Sequence, residues 1–336
     1  MAQSPARPQG GDRVLEDVDR PGRGVGTSLP ATAEAPATAM SRLGAVGELT
    51  ARRQRSLWGD AWRRLVRNKL AVVGLVIVVS FGVMAVLAPV IAPYGEAEVV
   101  DHRLARQSPS WTWPFGLDAN GRDMFSRVLY GARVSLVVGV LAQVVVLLIG
   151  VPVGAISGYF GGAVDNSLMR VVDVVYAIPQ LLLVLLLVNW RGPGLVNIFL
   201  AIGLVGWVTE ARLVRGQFMT LRDQEYVNAA RVAGGGGGYI MFRHILPNSL
   251  TPIIVALTFG IPSAIFTEAA LSFVGVGIRP PQASWGQMVG QGSDPGYIQT
   301  DPHMLLFPVA AIGLTMLGFT FLGDGLRDAL DPKGND

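Results

Sequence analysis

The sequence predicts an all-α protein that crosses a membrane six times, and three observations carry that expectation. Of 336 residues, 51% are hydrophobic and only 15% charged, with a mean hydropathy of +0.44. Six apolar runs recur, each near the ~20 residues that a helix needs to cross about 30 Å of hydrocarbon. Basic residues gather in the termini and loops between those runs. The net charge of +3 is carried almost wholly by arginine, since Lys69 and Lys333 are the only lysines. Arginines so dispersed read as topology determinants rather than a phosphate-binding stripe, so no nucleic-acid partner is expected. With no cysteine, neither a disulfide framework nor a thiolate metal site is available.

Residues 1–55, rich in Pro, Gly, Ala and Thr, lack an apolar period and are expected as a disordered cytoplasmic tail without a signal peptide. Residues 56–69 change character. Trp58, Trp62, Leu65 and Val66 form one helical face, and Arg63, Arg64, Arg67 and Lys69 surround it. Such a basic amphipathic helix is expected in the cytoplasmic interface; a calmodulin-type or nucleic-acid contact is the alternative. The first span is placed at about Leu70–Ile91 (first transmembrane segment 70–93), before an extracytoplasmic loop over 94–133. The others are placed at about Val134–Ile156, Val171–Asn189, Leu195–Leu213, Leu250–Val274 and Leu305–Leu322, within a core over 134–325. The turn Arg191-Gly192-Pro193-Gly194 joins the third and fourth as a helical hairpin. Pro152, Pro179, Pro252 and Pro262 fall inside spans and mark kinks or hinges. An even number of spans leaves both termini in the cytoplasm, with a cytoplasmic loop at 216–248 and a C-terminal tail at 326–336.

Between the fourth and fifth spans lies RDQEYVNAARVAGGGGGYIMFRHILPN, from Arg222 to Asn248. A small-residue helix over Glu225–Ala233 is expected there, broken by Gly234–Gly238 and stopping before Pro247. Glu225, Asn228 and Arg231 share one stripe, while Ala229, Ala230 and Ala233 leave a shallow surface that another protein can approach closely. So short a helix is marginal alone in water and is expected to need a partner for order. The stretch reads as a docking element through which a membrane protein receives mechanical work.

These residues resemble the coupling loop of ABC importer permeases, whose Glu-Ala-Ala triplet is followed by a glycine and a later Leu-Pro. Asn228-Ala229-Ala230 takes the triplet's place, Gly234 the glycine's and Leu246-Pro247 the end; Asn228 departs from the usual Glu, with an acid present at Glu225. Three further phrases, FGLDANGRDMFSRVLYGARVSL from Phe115, TEAALSFVGVGIRPPQASWGQMV from Thr267 and GDGLRDALDPK from Gly323, are similar to the C-type permeases of dipeptide, oligopeptide and nickel importers. The resemblance implies the type I importer permease fold, a multi-pass position in the cytoplasmic (inner) membrane, and no catalysis by this chain alone. It implies coupling through Glu225, Tyr226, Asn228, Ala229, Ala230, Arg231, Gly234 and Pro247. The implied partners are a homologous B-type permease, two ATP-binding subunits or one fused ATPase, an extracytoplasmic substrate-binding protein, the lipid bilayer and a peptide substrate. ATP and Mg belong to the ATPase, and this chain is expected to bind no cofactor. Nickel, glutathione and haem are the alternative cargoes.

Other residues carry two readings each. Glu268 meets a substrate ammonium on the translocation path or pairs with Arg279 or a neighbouring subunit. Gln143 and Asn189 line that path or bond neighbouring helices. Arg122, Asp123, Arg127, Pro280, Pro281 and Trp285 dock the binding protein or anchor the outer interface, with Gly121-Arg122-Asp123 a turn ahead of a short helix. Glu210 and Arg212 are expected in local pairs, and Asp324, Arg327, Asp328 and Asp331 as caps and pairs around the last helix. There is no GxxxxGK[ST] loop, HExxH or GxSxG, so ATP hydrolysis, zinc proteolysis and serine catalysis are not expected of this chain. A secondary transporter or channel, the rival class, needs an ion-coupling residue deep in the membrane.

Overall fold

In a computed structural model the described residues are 57–330. The expected tail 1–55, Asp331 and Lys333 lie outside them, as does the side chain of Trp58. The helices are α1 (Leu57–Arg67), α2 (Lys69–Ile91), α3 (Met124–Phe160), α4 (Gly162–Tyr176), α5 (Gln180–Arg191), α6 (Leu195–Leu221), α7 (Glu225–Val232), α8 (Gly237–Ile240), α9 (Leu246–Phe273), α10 (Trp285–Gly292), α11 (Pro295–Ile298) and α12 (His303–Leu330). No strand occurs among the described residues beyond an isolated bridge between Leu117 and Asp123.

Five helical paths are long and apolar enough to cross a membrane: α2, α3, α6, the run Gly237–Phe273 that contains α8 and α9, and α12. The expected third span is not one rod. α4 and α5 are bent by 81° at the break between Tyr176 and Gln180, and only the bent pair together makes a sixth span. Pro179 is the cause: it lacks a donor and drives the preceding residue out of helical geometry, so the helix ends one turn earlier. The hairpin to α6 does form, with Gly192 at φ 87° and Asn197 Nδ2 donating to the carbonyls of Arg191 (3.2 Å) and Gly192 (3.0 Å).

Other boundaries moved for local reasons. α3 starts ten residues before the expected span, because Asp123 caps it by accepting the Ser126 N–H at 2.8 Å. The helix expected to be short therefore continues for 37 residues. α6 runs to Leu221 and shortens the loop placed at 216–248, and α12 carries the helix through to Leu330, into the expected C-terminal tail. At Pro247 the helix does not stop: a π-turn at Met241–Ile245 absorbs one extra residue per turn, and Pro247 takes a first-turn position in α9, where no N–H is needed. α1 exists as an amphipathic helix, but its face divides. Ala61 and Leu65 pack with Leu326 and Ala329 of α12, while Trp62 and Val66 point outward.

α3 and α6 form the spine of the bundle. Gly150, Gly154 and Gly158 repeat every fourth residue along α3, and a Cβ on any of them would meet backbone or Cβ atoms of Trp207, Glu210, Ala211, Val214, Arg215 or Phe218. Small residues at such spacing let two backbones approach, and dispersion over that close contact holds helices together where lipid removes the hydrophobic drive. The spine positions everything that follows, since α6 ends directly in the docking loop.

Candidate functional site

The docking loop is built outward from one buried anchor. Val227, fully enclosed, packs among Val214 and Phe218 of α6, Ile240, Met241 and Ile245 of the next helical path, and Ile253 of α9. The chain thus supplies a seat for one face of α7. Around the anchor the other face is open. Glu225, Tyr226, Asn228, Ala229, Arg231 and Gly234 are exposed, Ala230 is half-buried, and Val232 is 90% exposed. Arg231 Nη1 donates to Asn228 Oδ1 at 2.9 Å, which draws two members of the expected stripe together. Gly234, at φ 86°, ends the helix: its N–H bonds the Arg231 carbonyl (3.1 Å) and the Gly235 N–H bonds that of Ala230 (3.0 Å), a paired closure that requires the left-handed position. Pro247 is also exposed, one turn into α9.

A second site opens between α6 and α9, where Gln143, Gln180, Thr209, Glu210, Ser263 and Thr267 line a cavity of about 320 Å³. Gln143 lines this cavity, and its Nε2 donates to the Gly260 carbonyl at 2.9 Å, the helix-to-helix bond that was one of its two expected uses. Asn189 does not reach it; it lies exposed near the end of α5. Glu268 is sealed away from it, fully buried, with Oε2 accepting from Ser135 (3.2 Å) and Oε1 from Ser272 (2.8 Å). Its expected pairing with Arg279 is not formed, and Arg279 is exposed. Of the two residues expected in local pairs, Arg212 bonds Asp173 at 2.7 Å and lies over the Tyr176 ring, while Glu210 finds no ionic partner among the described residues. Sequence reasoning did not place Glu210 in this cavity, and its one signal was a lone acid within an apolar run.

On the opposite side of the bundle a buried polar clasp forms. Arg122 Nε meets Asp118 Oδ2 at 2.7 Å, Arg127 Nε approaches the same oxygen at 3.6 Å, and all three residues are buried. Arg127 also donates to the Glu96 carbonyl and to Gln287 Oε1, each at 3.0 Å, and Trp285 Nε1 donates to the Val128 carbonyl at 3.0 Å. Arg127 and Trp285 thus hold the loop before α3, α3 and α10 to one another, while Arg122 and Asp123 bond within that loop and the first turn of α3; of the six residues expected to dock a binding protein only Pro280 and Pro281 are exposed.

Comparison with known proteins agrees with this architecture. The family described as "Binding-protein-dependent transport system inner membrane component" matches residues 150–335, and the "N-terminal TM domain of oligopeptide transport permease C" matches residues 56–109. The chain is 47% identical over 276 residues to the dipeptide transport system permease protein DppC of Bacillus subtilis (strain 168), covering 82% of this chain and 85% of that one. It is 44% identical over 286 residues to the oligopeptide transport system permease protein OppC of the same organism, covering 85% and 93%. Among solved structures, a chain of the inward-facing MetNI methionine ABC transporter shares the fold, with a TM-score of 0.51 at 18% identity, covering 62% of this chain and 97% of that one.

Proposed function

The chain belongs to the family of inner-membrane components of binding-protein-dependent transport systems, and from that premise we propose that it is the permease through which an ATP-driven importer passes dipeptides or oligopeptides. The names of the relatives favour a peptide cargo. The observation that carries the mechanism is the docking loop: a helix anchored to the bundle by Val227, with Ala230 packed beside it and Tyr226, Ala229 and Val232 turned outward. An apolar face of small residues beside Glu225 and Arg231 suits a cleft on a cytoplasmic ATPase subunit. The termini and this loop lie in the cytoplasm on the same reading. A homologous second permease completes the pathway, and a binding protein delivers cargo at the outer face.

Transport follows from a difference in binding. The ATPase pair, closed around its nucleotide, must fit the outward-facing bundle better than the inward-facing one, since equal affinity for both shifts nothing. Closure pushes α7, and Val227 passes the displacement to α6 and α9 together. Cargo enters between the permeases, and hydrolysis on the partner subunits restores the first state. This chain holds the coupling surface and the cleft, while ATP and Mg stay with the ATPase. Substituting Ala229→Trp, which adds bulk to the outward face without touching the anchor, is expected to abolish co-purification of the ATPase and ATP-dependent peptide uptake. Uptake that persists without the ATPase would overturn the proposal.

A further inference from the structure

The cleft between α6 and α9 contains a carboxylate that finds no partner among the described residues. Glu210 is 7% exposed, its Cβ packs against Gly150 of α3, and it lines the 320 Å³ cavity together with Gln143, Gln180, Thr209, Ser263 and Thr267. Its Oε1 is enclosed by protein and accepts no hydrogen bond among the described residues. The basic side chains that follow it on α6 are engaged elsewhere, Arg212 with Asp173 and Arg215 with both carboxylate oxygens of Asp165. An acid inside a spanning helix is costly unless it meets water or a cation, and the fold has spent its nearby cations on other partners.

The surroundings indicate which cation fits. Gln180, Thr209 and Ser263 are exposed on this face, where amides and hydroxyls turned toward lipid would be costly, so the face opens on water or a polar partner. At about 320 Å³ the cavity is on the scale of a peptide end rather than a bare ion. We infer that Glu210 receives a primary ammonium group of the cargo, the free amino terminus of a peptide, while the amides and hydroxyls around it take the adjoining peptide group. This rests on the peptide-importer reading above. It moves the ammonium contact from Glu268, which is closed in by serines, to an acid one helix away.

The test uses the complete transporter in proteoliposomes, with trialanine and N-acetyl-trialanine as probes. Glu210→Gln keeps shape and removes charge. Trialanine uptake per ATP hydrolysed should fall roughly tenfold or more, the scale expected when one partner of a buried ion pair is removed. The ATPase should still co-purify, and Glu210→Asp should retain part of the uptake. Independently of any variant, dicyclohexylcarbodiimide should modify Glu210 in the wild-type complex, and trialanine but not its acetylated form should slow that reaction. Unchanged uptake per ATP in the Gln variant, or labelling that trialanine leaves unaffected, overturns the inference and leaves peptide transport standing. Loss of assembly in the Gln variant assigns Glu210 to packing and overturns it equally. A wild-type complex that hydrolyses ATP yet takes up no trialanine removes the premise itself, an outcome visible without substitution.

Discussion

At the scale of single residues, two positions decide whether neighbouring segments hold. Gly234 takes φ 86°, where a side chain is strained, so Gly234→Val is expected to cost roughly 1–2 kcal/mol. The cost falls on the end of α7, so ATPase activity should lose its dependence on cargo more than the bundle loses stability; both are measurable on one purified complex. Asp118 serves two buried guanidiniums, and removing its charge leaves Arg122 without its carboxylate partner and deprives Arg127 of one of the two carboxylates that act on it. Asp118→Asn is expected to cost about 3–5 kcal/mol, read as a lower unfolding temperature in detergent. Added salt should scarcely change that difference, because the pairs are shielded from solvent. Sequence reading reached Gly234 easily, since a glycine after a run of helix formers has one common meaning. It did not reach the inward orientation of Arg122 and Arg127, because charge beside an outer loop suggests a surface and the burying partners, Glu96 and Gln287, are remote in sequence.

At the scale of helices, hydropathy gave existence and packing gave extent. The apolar runs of α2, α6, α9 and α12 were legible because lipid imposes composition directly. The first ten residues of α3 were legible as a short helix but not as part of the span, since they are largely buried against protein and carry Arg127, which lowers any hydropathy count. The break in the third run was legible in place, at Pro179, but not in size: Val171–Asn189 is apolar on both sides of the proline, and composition contains no angle, whereas the two halves meet at 81°. The join between α3 and α6 offers a matched pair of substitutions. Gly154→Ala puts a methyl group into the backbone of Ala211 and is expected to cost about 1–3 kcal/mol. Gly82→Ala meets nothing within 4 Å and should leave the unfolding temperature unchanged or slightly raised. Equal effects from the two would contradict the close approach described for the spine.

At the scale of the whole molecule, the natural absence of cysteine makes sidedness directly measurable. Val232→Cys and Asn120→Cys both place a thiol on exposed positions. A membrane-impermeant maleimide should label the second in intact cells and the first only after permeabilisation; the reverse would turn the transporter inside out and end the proposed coupling. One further consequence follows from the continuous run Gly237–Phe273. Its 37 residues, at ~1.5 Å each, make a rod of about 55 Å that carries Tyr239 at one end, Gly260 and Ser263 beside the cleft, and Glu268 near the other. On the proposed topology such a rod acts as a tiller: tilting its Tyr239 end moves the cleft wall and the Glu268 end with it. Slack upstream of it lies in the three glycines 234–236, and shortening that tether should tighten the gearing between engine and gate rather than disconnect them.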